Sequence, residues 1–349
     1  MWERHSCRDD RGRNAAPTPE PAPAPKSPTD NLPQPSRIAT VPSQTKTVIP
    51  TAVPQTIESA YRHCQHIARN HYENFPVASL ALPRKMRPAV AAIYAFARGA
   101  DDFADEGDRT PAQRLALLNR YTDALHTLQD GGAIDDLVFI ALNDTVNKHQ
   151  LPWTLFHDLL TAFKMDVTTT RYATFDDVLN YCRYSANPVG RLVLHLFNQA
   201  TPDNCRMSDG VCSALQLINF WQDLAQDYDE NNRIYVPLND MQRHTVSEDH
   251  FRSRRSDNAM HRLMALQRQR TRMLLEEGAP LAYQMKGRLG LQLRLTVLGG
   301  GHVLDAVERL DNLFARPRLR INDWLVIIGD TLWPIRHRQR TKPNQTWRG

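Results

Sequence analysis

An acidic cluster at residues 101–106 is one of two places in this sequence whose side chains are suited to chemistry. Asp101 and Asp105 lie four residues apart, so on a helix they share one face, and Asp102 lies beside them. Arg98 comes one turn earlier and has two interpretations. It either forms an ion pair with Asp102 at the i+4 position or directs its guanidinium group at an anionic ligand.

A second cluster, within residues 216–235, repeats this spacing. Its oxygen-bearing side chains at four-residue intervals are Asn219, Asp223 and Asp227. Gln216 lies one turn before this row, so its amide points in a similar direction on a helix. Arg233 and Tyr235 follow the row and offer a guanidinium group and a hydroxyl to an anion such as a diphosphate.

The repeated spacing favours a metal site over two helix faces in water. Carboxylates at i and i+4 repel each other weakly when exposed, and more strongly when apolar neighbours bury them. Both clusters have such neighbours. A shared cation removes the repulsion, and Mg²⁺ prefers hard oxygen ligands combined with phosphate oxygens. One such pair is common by chance and would be a solvated face, whereas two pairs indicate that Mg²⁺ and a diphosphate bind.

Apolar residues recur at three- and four-residue spacing from residue 57 onward, which predicts helices. Both clusters lie within this region, so we expect helices to position them. Alternating strand-like runs are scarce, so the fold class expected is all-α. The predicted helices are 57–73, 88–106, 111–129, 134–148, 152–165, 174–200 with a kink near Pro188, 208–228, 246–277, 289–315 and 321–332.

The two ends of the chain differ from this helical region. Residues 1–54 hold nearly half of the 23 prolines and few large apolar side chains, so we expect a disordered segment. Residues 55–334 are expected to form a single catalytic domain. The tail, 335–349, is basic and has no acidic residue; it is either a solvated end or a weak contact with an anionic membrane surface.

The composition excludes several classes of protein. A formal charge of +5 is too small to indicate nucleic-acid binding. The five cysteines match neither a zinc site nor a disulfide framework, which is typical of reduced thiols in a cytoplasm. No apolar run is long enough for a transmembrane helix. We therefore expect a cytoplasmic enzyme, peripheral at the inner membrane face if the tail binds lipid.

At the two clusters the sequence resembles the squalene/phytoene synthase family, with a third match at residues 181–190. The resemblance covers most of the chain. It implies an isoprenoid synthase-type helical bundle with a central active-site cavity, an isoprenoid diphosphate substrate and Mg²⁺. It also implies functional roles. The implied metal ligands are Asp101, Asp105, Asn219, Asp223 and Asp227, with Asp102 nearby. The groups implied to bind the diphosphate are Arg98, Gln216, Arg233 and Tyr235. Tyr181 is implied to lie near the carbocation.

Within that family the sequence resembles the hydroxysqualene synthase branch of bacterial hopanoid pathways, through residues 71–76, 187–191 and 219–223. That branch implies conversion of presqualene diphosphate to hydroxysqualene without a reductant. It also implies other enzymes of the pathway as possible partners. Two alternatives remain open. One is head-to-head condensation of two farnesyl diphosphates to presqualene diphosphate or squalene. The other is a helical assembly factor without catalytic activity, against which the intact carboxylates argue.

Overall fold

The computed structural model describes residues 56–70 and 83–317, which form helices and connecting turns. Within these two ranges there is no β-strand, and one isolated parallel bridge joins Arg171 and Ile234. The described helices are α1 (Ile57–Asn70), α2 (Arg87–Asp105), α3 (Pro111–Gln129), α4 (Leu137–His149), α5 (Trp153–Thr168), α6 (Phe175–Ser185), α7 (Asn187–Leu196), α8 (Pro202–Gln222), α9 (Leu224–Asn231), α10 (Leu238–Arg243), α11 (Glu248–Arg252), α12 (Asn258–Gly278), α13 (Pro280–Gln284) and α14 (Gly287–Glu308). The prediction of an all-α fold is confirmed.

Several helices begin at side chains that cap the first turn. The Thr110 hydroxyl accepts a hydrogen bond from the Gln113 backbone N–H at 3.3 Å, and the Gln113 side chain accepts one from the Thr110 N–H at 2.9 Å. Thr174 and Asp177 form the same reciprocal pair at α6. These caps satisfy N–H groups that the first turn leaves without partners, and they fix the helix starts near the predicted positions.

Three of the predicted long helices are each divided into two, and one of them, 208–228, is divided at Asp223. The range 174–200 separates into α6 and α7 next to Pro188, where proline interrupts the backbone ladder. The range 246–277 separates into α11 and α12, and the Asp257 side chain caps the start of α12. The predicted helix 321–332 lies outside the described residues.

Helices α2 and α8, which carry the first cluster and part of the second, each pack against several other helices. Eleven of the nineteen residues of α2 are buried, and it packs against α1, α3, α4 and α5. Helix α8 packs against α7, α12 and α14. Close approach of α12 requires Gly278, where a Cβ would clash with the Met207 carbonyl oxygen. Both clusters therefore lie on helices that packing holds in place.

None of the helices in the described ranges is both long and apolar enough to cross a bilayer. The terminal segments 1–54 and 335–349 lie outside those ranges, as does the motif at 71–76. Their predicted disorder, membrane contact and family role stay predictions.

Candidate active site

The first acidic cluster lies at the C-terminal end of α2, and Arg98 of the same helix balances the charge of Asp101 and Asp102. The buried Arg98 guanidinium lies 3.3 Å from Asp101 Oδ2 and 2.7 Å from Asp102 Oδ1, and it also contacts Glu106. The structure therefore contains the ion pair between Arg98 and Asp102. Burial raises the pKa of Asp102 to about 6. Carboxylates at a helix C-terminus also face the negative end of the helix dipole, so this end of α2 favours a bound cation.

The second cluster spans a helix break. The predicted single helix 208–228 begins earlier, at Pro202, and ends at Gln222, so that Asp223 joins α8 to α9. The backbone N–H of Asp223 still donates to the Asn219 carbonyl at 3.0 Å, and that of Asp227 donates to the Asp223 carbonyl at 2.8 Å. Because these i to i−4 bonds persist, the row of Asn219, Asp223 and Asp227 stays close to one face despite the break.

Arg233 joins the two clusters. Its guanidinium lies against both carboxylate oxygens of Asp105, at 2.7 Å and 3.3 Å, and its backbone N–H donates to the Asp227 carbonyl at 2.9 Å. A two-point contact of this kind fixes both the distance and the orientation of the groups it connects. Arg233 therefore holds the end of α2 through its guanidinium and the first turn of α9 through its backbone N–H.

Arg316 balances the charge of Asp223, at 2.9 Å between Nε and Oδ1. The sequence analysis did not identify Arg316. No periodic pattern connects it to the clusters, since it lies beyond the end of α14. Only the packed chain brings it to Asp223.

Asp166 on α5 is a second residue that was not predicted from the sequence, and it connects three groups of the site. Its carboxylate accepts hydrogen bonds from the Tyr181 hydroxyl at 3.0 Å and the Tyr235 hydroxyl at 3.3 Å. Its backbone carbonyl accepts one from Arg233 at 2.7 Å. The sequence did contain one relevant signal. Asp166 lies four residues after the buried Ala162 and therefore on the buried face of α5, where an acidic residue is rare.

Aromatic rings surround Asp166. The Tyr235 ring stacks on Phe220 with centroids 3.6 Å apart and planes 5° apart, and Tyr181 lies 5.8 Å from Phe220. Tyr172 packs against Tyr181 and Tyr235. Tyr181 and Tyr235 are thus brought together, with their hydroxyls on one carboxylate.

A largely apolar cavity of about 200 Å³ is lined in part by residues of α2 and α8 that precede the two clusters on these helices. On α2 it is lined by Ile93 and Tyr94, and Tyr94 is one turn before Arg98. On α8 it is lined by Cys212 and Leu215, one turn before Asn219. Burial raises the pKa of Tyr94 to about 12, so its hydroxyl is neutral at ordinary pH. The cavity lies on the N-terminal side of the clusters on both helices.

Comparison with known proteins identifies the family to which this site belongs. A family model described as squalene/phytoene synthase matches residues 68–324. The chain belongs to the squalene/phytoene synthase family. The hydroxysqualene synthase of Rhodopseudomonas palustris is 32% identical over 255 residues, which is 73% of this chain and 86% of that protein. The hydroxysqualene synthase of Zymomonas mobilis is 41% identical over 172 residues, which is 49% of this chain and 56% of that protein.

A solved structure gives the same assignment for the fold. The squalene synthase HpnC of Alicyclobacillus acidocaldarius has a TM-score of 0.69 and 38% identity, and the match covers 74% of this chain and 97% of that one. The chain therefore has the all-α isoprenoid synthase-type fold. Membership of the squalene/phytoene synthase family makes it an isoprenoid diphosphate-processing enzyme, in a family that is typically dependent on a divalent metal.

The oxygen donors of the two clusters fit such a metal. Among the described residues, no three His, Cys, Asp or Glu side chains converge on one point. The fit therefore rests on the chemistry of the donors: carboxylate and amide oxygens are the hard ligands that Mg²⁺ prefers, and it usually binds one or two carboxylates together with water and substrate phosphate oxygens. The arginines that contact the clusters balance the carboxylate charges, as partly buried acids require.

Proposed function

We propose that this chain converts presqualene diphosphate to hydroxysqualene and diphosphate with Mg²⁺. One observation carries the proposal: an apolar cavity is lined by α2 and α8, the same helices that carry oxygen-rich clusters, and Arg233 connects these clusters. An isoprenoid diphosphate has the matching form, since it combines an apolar chain with a polyanionic head. The two relatives named hydroxysqualene synthases support the choice of reaction.

The clusters would bind the head of the substrate. Mg²⁺, when bound, supplies positive charge that stabilises the departing diphosphate. The residues proposed to hold it are Asp101, Asp105, Asn219, Asp223 and Asp227, with Asp102 beside them. Arg98, Gln216 and Arg233 would bind diphosphate oxygens. Tyr235 would help to place Arg233, because the Tyr235 hydroxyl and the Arg233 guanidinium both bond to Asp166.

The aromatic cluster would stabilise the cation that forms when diphosphate leaves. Ring faces attract a cation without reacting with it, and a site that excludes water strengthens that attraction. Asp166 fixes the ring of Tyr181 through its hydroxyl, and its buried carboxylate adds negative charge nearby. Water then captures the rearranged cation in the cavity, so the reaction needs no reductant.

Product analysis tests the proposal. The purified full-length chain is incubated with Mg²⁺ and presqualene diphosphate, and released diphosphate and extracted lipids are measured by mass spectrometry. We expect hydroxysqualene and diphosphate in equal amounts. A parallel incubation with farnesyl diphosphate alone separates the alternatives. Formation of presqualene diphosphate or squalene there would identify a condensing enzyme, and no turnover of either substrate would indicate the assembly factor.

A further inference from the structure

The chain turns sharply at the end of α9, directly before Arg233. Asn232 ends this helix in the left-handed conformation, with φ 49° and ψ 38°. Asparagine adopts this conformation more readily than most residues, but it does so at a cost that surrounding contacts must offset. The direction in which the chain leaves Asn232 decides whether the Arg233 guanidinium and, two residues later, the Tyr235 hydroxyl reach Asp166. The site therefore depends on this turn.

Arg171, in the segment that follows α5, binds the turn. Its guanidinium donates one hydrogen bond to the backbone carbonyl of Asn232 and another, at 3.0 Å, to the side-chain Oδ1 of Asn232. The backbone of the same segment binds the residue after Arg233, because the Ile234 N–H donates to the Thr170 carbonyl at 3.0 Å. Residues 170–171 thus hold both neighbours of Arg233 in the chain.

Glu248 on α11 fixes the side chain of Arg171. The Nε atom and one terminal nitrogen of Arg171 each lie 2.8 Å from a different carboxylate oxygen of Glu248, which is the parallel two-point geometry of a strong arginine–carboxylate pair. The remaining N–H groups donate to Asn232 and, at 2.8 Å, to the Thr170 carbonyl. These hydrogen bonds use all five N–H groups of the guanidinium. A lysine, with three donors and no planar fork, could not replace them.

Arg171 acts on the site from outside it. Its hydrogen bonds end on Thr170, Asn232 and Glu248, and the last two are exposed. Arg233, by contrast, is buried and binds both carboxylate oxygens of Asp105. A surface ion pair contributes little to the stability of a fold. A displacement of about 1 Å in a binding group, however, can lower the rate of an enzyme about 100-fold. Holding Arg233 in place therefore matters more for the site than for stability.

We propose that Arg171 is a positioning residue of the metal–diphosphate site. It holds the turn at Asn232, and thereby the Arg233 guanidinium that orients the Asp105 carboxylate. The identity of the anion as the diphosphate group of the substrate rests on the proposed function. Glu248 serves to orient Arg171. Without Arg171 the turn can move, so Arg233 and Asp105 spend less time in the orientation that receives Mg²⁺ and diphosphate.

Binding of inorganic diphosphate tests the proposal without catalysis. The Kd of the full-length chain for diphosphate is measured in excess Mg²⁺ by isothermal titration calorimetry. For Arg171→Gln we expect a Kd about tenfold higher, the effect of weakening one hydrogen bond in the site. The melting temperature should fall by less than about 3 °C, because the ion pair lies at the surface. Arg171→Lys should raise the Kd almost as much, since it keeps the charge without the fork.

Arg252→Gln is the matched control. It removes an exposed ion pair between Arg252 and Asp249 on α11, the helix that also carries Glu248. Because this pair makes no contact with the turn at Asn232, the Kd for diphosphate should stay as in the wild type. A Kd that rises equally in the control and in Arg171→Gln would overturn the proposal, since it would reflect a general effect of surface charge.

A double substitution shows whether Arg171 acts through Arg233. In a chain that already carries Arg233→Gln, Arg171→Gln should raise the Kd no further. Additive effects, or an unchanged Kd in folded Arg171→Gln, overturn the proposal, as does a wild type that binds no diphosphate. If circular dichroism shows that Arg171→Gln does not fold, Arg171→Lys replaces it in both measurements. A wild type that binds diphosphate but does not consume presqualene diphosphate overturns the proposed function instead, and the Kd values still decide the role of Arg171.

Discussion

The two acidic clusters obtain their charge balance in different ways. On α2 the counter-charge comes from Arg98, one turn before the carboxylates in the same unbroken helix. At the junction of α8 and α9 it comes from Arg316, 93 residues beyond Asp223. The pairing of Arg98 with Asp101 and Asp102 needs α2 alone, whereas the pairing of Arg316 with Asp223 depends on the packing of the whole chain, as does that of Arg233 with Asp105. Two motifs with the same spacing can therefore have different physical supports.

Removing the metal tests what the clusters have in common. If both hold Mg²⁺ at the diphosphate, an excess of chelator should reduce turnover to below about a thousandth, since metal charge supplies several kcal/mol to the departing group. Activity should return when Mg²⁺ is added in excess of the chelator. Full turnover in the chelator would refute a metal role for either cluster.

Asp223→Asn tests the second cluster alone. The change keeps the side-chain volume and removes one anionic oxygen donor, so kcat should fall about 100-fold. Relief of repulsion within the row offsets the lost contact with the partly exposed Arg316, so the melting temperature should change by less than about 3 °C. Asp203→Asn, an exposed position at the start of α8, is the control and should change neither quantity. A fall in melting temperature together with kcat would instead identify Asp223 as a structural residue.

Comparing Arg98→Gln with Arg316→Gln tests the difference between the clusters directly. Arg98 is buried among three carboxylates, which would repel each other without it, so the free energy of unfolding should fall by roughly 2–3 kcal/mol. Arg316 is one-third exposed, so its loss should cost less than about 1 kcal/mol. Urea unfolding measures both, with the exposed Arg206→Gln as the baseline. Equal losses for the two variants would contradict the distinction drawn here.

The pH dependence of stability sharpens the description of the first cluster. Burial raises the pKa of Asp102 from 3.8 to about 6, so the folded protein retains this proton at a pH where the unfolded chain has lost it. Stability from this group is therefore present below pH 4 and is lost as the pH rises through about 6. Asp102→Asn removes the partly buried charge and should therefore raise the melting temperature at pH 7.5. The rise should be only about 1–3 °C, because the carboxylate is partly exposed. The gain should vanish at pH 3.5, and a gain that is the same at both pH values would exclude this cause.

The smallest effect is expected from the N-terminal segment, which belongs to neither cluster. Removal of residues 1–54 should leave kcat and the melting temperature nearly unchanged, because a proline-rich segment of this composition cannot bury enough apolar surface to order itself. Thermal unfolding and turnover of the truncated chain are the measurements. Aggregation of that chain, or loss of most activity, would show that the segment supports the catalytic domain.

The same contrast explains how much of the site could be predicted from the sequence. Helical periodicity predicted the faces that carry Asp101 and Asp223, because those depend on residues one turn apart. Asp166 and Arg316 could not be predicted in this way, since their partners lie far along the chain. The break at Asp223 was also missed. Its apolar pattern continues through Leu224, and pattern alone does not distinguish one helix from two that share a face.

The contact between Arg233 and Asp105 connects residues 128 positions apart. Closing so long a loop costs more conformational entropy than forming a helix, whose contacts are local. We therefore expect this contact to form after most helices have formed. Substitutions at either residue should consequently accelerate unfolding and leave the folding rate almost unchanged. A chain still emerging from the ribosome cannot make the contact until Arg233 has been synthesised, so the proposed diphosphate site is complete only after translation has passed the second cluster.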